Sequence, residues 1–159
     1  MVRLGGWLLA VLFLFGLADA RAQEPAGAPR FGIEALGVES ANGMHLFSVE
    51  VARTARQREY GLMGRTTLPE NGGMLFDFGG VGYVAMWMKD TLIPLDMLFV
   101  KPDGTIGVIY ANARPLSEEM IRPGIPVRAV IELSAGTAAR LGIEAGDRVY
   151  HPLFAGVAP

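Results

Sequence analysis

Ile33-Glu34-Ala35-Leu36-Gly37-Val38-Glu39-Ser40-Ala41-Asn42-Gly43-Met44-His45-Leu46-Phe47-Ser48-Val49-Glu50-Val51 is the stretch on which the fold turns. Ile33 to Val38 and Met44 to Val51 have strand composition, and Asn42-Gly43 between them is a strong hairpin turn signal. A second pair, Leu98 to Lys101 and Thr105 to Ala111, flanks Pro102-Asp103-Gly104, another turn signal. Met74 to Phe78 and Tyr83 to Lys89 read as strands joined by Gly79-Gly80-Val81-Gly82. Val127 to Leu133 and Asp147 to Leu153 complete the set.

Two short helices interrupt the strands. Thr54 and Gln57 have the spacing of a capping box, which predicts a helix over Ala55 to Met63 with Gly64 at its end. Its inner stripe would hold Ala55, Glu59, Leu62 and Met63, so Glu59 is expected on the packing face. The second helix follows Ser134, carries Thr137, Ala138 and Leu141, and stops at Gly142. The expected fold class is therefore mainly β, a β-rich α+β domain built as a small, partly open barrel with two short helices. Gly146-Asp147, after the second helix, resembles the Gly-Asp box of cradle-loop barrels, where the Asp accepts backbone N–H bonds across a turn. Asp147 is thus read as a turn residue and not as a catalytic one.

The N-terminal segment carries a targeting pattern. Arg3 precedes the uncharged, Leu-rich run Leu4 to Ala18, and Ala20-Arg21-Ala22 supplies an A-x-A site. Residues 1–22 are expected to be a signal peptide, with Gln23 as the new N-terminus and a periplasmic or extracellular destination. The run is short for a membrane span and no stop-transfer pattern follows, so no stable membrane anchor is expected after cleavage. Residues 23–30, rich in Pro, Ala and Gly, read as a flexible tether, and residues 31–159 as a single domain. The absence of cysteine means that such an exported domain must rest on its core alone. Cleavage would remove two of 14 Lys+Arg and one of 16 Asp+Glu, leaving 12 against 15 and a net charge of about −3. That balance gives no electrostatic case for nucleic acid as a partner or for an anionic membrane surface.

Met86-Trp87-Met88-Lys89-Asp90-Thr91-Leu92-Ile93-Pro94-Leu95-Asp96-Met97 sets an aromatic, a lysine and two carboxyl groups inside an apolar run. Alternation puts Val84, Met86 and Met88 on one face and Tyr83, Ala85, Trp87 and Lys89 on the other. Trp87 and Lys89 together make a surface for a planar or anionic ligand. The plainer alternative has Trp87 covering core while the Lys89 amine reaches water. Asp96 alternates with Leu98 and Val100, and a buried carboxylate there needs a partner. Lys89, Arg65 and Arg114 are the candidates, and a structural salt-bridge network is the alternative to a site.

Several segments together resemble the exported bacterial and archaeal family known as domain of unknown function 192. They are Arg58-Glu59-Tyr60-Gly61-Leu62-Met63-Gly64-Arg65, Gly73-Met74-Leu75-Phe76-Asp77-Phe78, Trp87-Met88-Lys89-Asp90-Thr91, Ile93-Pro94-Leu95-Asp96 and the tail from Glu132 to Asp147. The family usually carries Phe-Trp-Met-Lys-Asn-Thr where this chain has Met86 and Asp90, which adds a negative charge beside Lys89. The resemblance implies a fold and an exported location, and no particular reaction.

Three function classes follow. The first is a non-catalytic module of the cell envelope that binds a small molecule, a glycan or an envelope protein. Its surface would centre on Trp87, Lys89 and Asp90, supported by Arg65, Asp96 and Glu59, with the Gly79–Gly82 loop free to adapt. The second is a hydrolase or lyase on envelope carbohydrate, using Glu59 or Asp96 as general base. The third is a Cu(I) site built from the thioethers of Met63, Met74, Met86, Met88 and Met97, for which core packing is the stronger alternative. Binding is favoured over catalysis because no G-x-S-x-G, H-E-x-x-H, phosphate loop or cysteine nucleophile is present. No cofactor is expected.

Overall fold

The computed structural model describes residues 27–155, so the expected signal peptide, its cleavage site and the start of the tether lie outside the described residues. β1 (Gly32–Ser40) and β2 (Gly43–Ala52) form the first hairpin, closed at the Ser40–Gly43 pair. A crossover through α1 (Ala55–Tyr60) brings β3 (Gly72–Gly82) parallel to β2. β4 (Leu95–Val100) and β5 (Ile106–Ala113) form the second hairpin. β6 (Val127–Ser134) lies antiparallel between β4 and β3, and β7 (Arg148–Tyr150), reached through α2 (Thr137–Leu141), pairs with β1.

The result is one seven-stranded sheet in the order β5-β4-β6-β3-β2-β1-β7. Its two edge strands meet at one end. Thr105 bridges Arg148, the Ile106 N–H donates to the Asp147 carbonyl at 2.8 Å, and the Gly146 N–H donates to the Ile106 carbonyl at 2.8 Å. The sheet therefore curls into the partly open barrel expected from its strand content. Asp147 closes the turn that makes this possible, accepting the Glu144 N–H at 2.7 Å.

Both faces of the central strands are covered, which is why all six residues of β4 are buried. Leu36, Val49, Leu75, Leu98 and Ile131 fill the inside of the barrel. On the outer face of β3, β6 and β4, Phe76, Met97, Phe99 and Val130 pack beneath Leu62, Met86 and Met88.

The structure corrects three sequence-based expectations. Tyr83 to Lys89 is not a strand: β3 runs on through Gly79–Gly82 after a register break, and the following segment is an extended strap over the sheet. The strap pairs only with an irregular loop, through the mutual Met86–Ile121 bonds and the Met88 N–H on the Ser117 carbonyl, so alternation survives without a ladder. The capping box forms, with Thr54 Oγ1 accepting the Gln57 N–H and Gln57 Oε1 accepting the Thr54 N–H. Yet α1 ends at Tyr60, because Gly61 takes φ 48° and its N–H closes on the Gln57 carbonyl. So short a helix buries none of its residues, and Glu59 is exposed, with Leu62 packing from the turn that follows. The last strand stops at Tyr150, since Pro152 has no N–H for the ladder and starts a 3-10 turn.

Candidate functional site

Two backbone locks place the strap against α1. The Thr91 N–H closes a turn on the Met88 carbonyl, and the Gly64 N–H donates to the Asp90 carbonyl at 2.9 Å. Asp90 sits in this turn at φ 53°, a left-handed conformation that Asn and Gly adopt most readily. From the other side, Arg58 donates to the Asp77 carbonyl at 3.0 Å and lies over the Phe78 ring, 5.7 Å from its centroid. Burial opposes ionisation of Asp77, but the Arg128 guanidinium and the Gly79 N–H outweigh it and hold the carboxyl below its ordinary range.

Between α1 and the strap lies a cleft of about 280 Å³, lined by Arg56, Glu59, Tyr60, Met63, Trp87, Lys89 and Asp90. The Lys89 ammonium stands 5.2 Å from the Trp87 ring centroid, within cation–π range. The cleft shares Glu59, Tyr60, Met63, Trp87 and Lys89 with a niche of about 20 Å³, which also reaches Phe76, Thr91 and Glu132.

Glu132 is the residue that sequence reasoning missed. It stands on the outer face of β6, paired with Met74 of β3 and Met97 of β4, and is 4% exposed. No described residue hydrogen-bonds or ion-pairs with its carboxyl group, whose oxygens face the niche. Burial alone pushes its pKa from 4.5 up to about 8, so the group is mostly protonated at neutral pH. The signal was present in Val130-Ile131-Glu132-Leu133, a carboxyl inside an apolar run of the kind that singled out Asp96.

The structure brings together four of the six residues proposed for the site: Trp87, Lys89, Asp90 and Glu59. Asp96 is fully buried and points elsewhere. Its Oδ1 accepts the Asn112 N–H at 3.0 Å and its Oδ2 the Ala138 N–H at 3.0 Å. Backbone donors from β5 and α2 thus replace the cationic partner expected for it. Arg65 lines a separate cleft of about 290 Å³, where its guanidinium meets Glu50 Oε2 at 2.7 Å. The Gly79–Gly82 segment forms no part of the Trp87 cleft lining. Met74, Met86, Met88 and Met97 are packed in the outer core cluster, and Met63 alone of the five reaches the cleft.

Residues 37–151 match the family DUF192, described as "Uncharacterized ACR". The chain belongs to that family. No curated protein matches it. Among solved structures, this DUF192 domain is similar to a protein of Sinorhizobium meliloti 1021 described as a candidate transcription regulator. The two are 47% identical with a TM-score of 0.75, over 78% of this chain and 97% of that one. It is also similar to a protein of unknown function from Novosphingobium aromaticivorans DSM 12444, at 39% identity and a TM-score of 0.75, over 84% of this chain and 94% of that one.

Proposed function

We propose that this DUF192 protein is an exported, non-catalytic binding module of the cell envelope that holds a small polar ligand between α1 and the Trp87–Asp90 turn. The observation that carries this reading is the Glu132 carboxyl, without a partner among the described residues, in a niche that shares an aromatic ring and an ammonium group with the adjoining cleft. The carboxyl oxygens are not sealed off, and a ligand group that hydrogen-bonds with them supplies a partner that the described protein residues do not. The Arg3 to Ala22 pattern supports export. A nucleic-acid role, which the description of the Sinorhizobium relative would suggest, gains no support from a net charge of −2 and a cleft whose charges are of both signs.

With Trp7 in the expected signal peptide, Trp87 is the only tryptophan expected in the mature chain, which makes its emission a direct reporter. Titration with sugars, cell-wall fragments, small anions and Cu(I) should give saturable quenching by at least one ligand, abolished in Lys89→Ala. Flat emission throughout, together with a Trp87→Ala variant that is merely less stable, would remove the binding role.

The raised pKa of Glu132 favours a second reading. A carboxyl protonated near pH 7 can act as a general acid, so Glu132, and not Asp96, would partner Glu59 in a hydrolase or lyase acting on carbohydrate. Turnover of a bound sugar, lost in Glu132→Gln, would decide for it.

A further inference from the structure

The shape of the niche constrains what enters it. A volume of about 20 Å³ is enough for a water-sized group such as a hydroxyl. A methyl group would fit but leave the Glu132 carboxyl without a hydrogen bond. A ligand ammonium would approach the cations Arg58 and Lys89, which border the niche, and Arg56, which lines the adjoining cleft. The other ionisable groups bordering it are Glu59 and Tyr60 from α1, while the strands beside Glu132 present Met74 and Met97. A hydroxyl both donates and accepts, matching a protonated carboxyl that offers one O–H donor and a carbonyl acceptor.

Outside the niche, the Trp87 ring lines the cleft with the Lys89 ammonium 5.2 Å from its centroid, and the polarised C–H bonds of a sugar ring can pack against the part of the indole that the ammonium leaves uncovered. Lys89, Glu59 and Asp90 supply donors and acceptors to further hydroxyl groups at the rim. Resting on the binding role proposed for this cleft, we infer that the ligand is a neutral polyhydroxylated compound, a sugar or the sugar end of a glycan. It lays a ring face on Trp87 and inserts one hydroxyl into the niche beside Glu132.

The test titrates Trp87 emission of the mature protein with glucose, galactose and N-acetylglucosamine, with their singly deoxygenated analogues, and with glucosamine and glucuronate as charged counterparts. At least one neutral sugar should saturate, and removal of one particular hydroxyl should weaken it at least about tenfold. Glu132→Gln, which keeps a donor and an acceptor at that place, should bind within about threefold of wild type, whereas Glu132→Leu should weaken binding at least about tenfold. Thermal melts of both variants establish that they are folded. Saturation by the acid alone, with loss in Lys89→Ala, or by the amine alone would keep the binding role and overturn the neutral sugar. Equal affinity in Glu132→Leu and wild type would overturn the hydroxyl in the niche, and silence from every probe would remove both proposals.

Discussion

Asp96 of β4 accepts the backbone N–H of Ala138 at 3.0 Å, fastening the first turn of α2 to the sheet. Its other oxygen takes the Asn112 N–H where the β4–β5 register shifts between Leu95 and Met97, so the side chain stands in for a missing ladder partner. Deleting it strands two N–H groups beside a fully buried position. Asp96→Ala should therefore lower stability by about 2–4 kcal/mol, and Asp96→Asn by less, since an amide oxygen still serves one donor. Urea unfolding of both variants reads this directly. A midpoint for Asp96→Ala equal to wild type would mean that water replaces the carboxyl oxygens.

What the sequence revealed was local chemistry, and what it hid was distance. Asn42-Gly43 and Pro102-Asp103-Gly104 announce the hairpins because a turn is decided by the residues within it. The Thr54–Gln57 capping box is equally local. The partners of Asp96 lie 16 and 42 residues away, so its burial was legible and its satisfaction was not. Glu59 was misplaced because the stripe assumed a helix longer than the six residues that form. Glu132 carries the same local signal as Asp96, a carboxyl in an apolar run, but the niche it borders forms only where the strap carrying Trp87 and Lys89 folds over β6, an arrangement that no window of sequence contains.

The turn at Asp90 explains why this chain can depart from the family's usual Asn. A left-handed φ of 53° is tolerated best by Gly, Asn and Asp, whose short side chains avoid the clash that Cβ branching creates. Asp90→Asn should leave the melting temperature unchanged or slightly raised. Asp90→Val should cost about 1–2 kcal/mol. Equal stability of the Asn and Val variants would show that the turn relaxes out of this conformation.

Export remains a prediction from the N-terminal pattern of Arg3, Leu4 to Ala18 and Ala20-Arg21-Ala22. Protein recovered from outside the cytoplasm should begin at Gln23 when its N-terminus is sequenced. An intact Met1 on that material would sink the signal-peptide assignment, while replacement of Ala20 and Ala22 by bulky residues should block processing.

The last prediction concerns the dependence of stability on pH. Burial raises the Glu132 carboxyl from 4.5 in the unfolded chain to about 8 in the fold. Between these values the folded protein holds a proton that the unfolded chain has released, so the unfolded state gains as pH rises. The contribution of Glu132 is whole below pH 4.5, shrinks from there upward, and is lost once pH has passed through about 8. The loss amounts to a few kcal/mol across that window. Glu132→Gln does not titrate, so its melting temperature should gain steadily on wild type between pH 5 and pH 9. His151, whose pKa burial pulls below 6.5, acts with the opposite sign: its contribution is present above that value and falls away as pH drops. It does so in both proteins alike and cancels in the difference. Parallel melting curves across the whole range would show that the Glu132 carboxyl is already solvated, and the niche would then be open to bulk water.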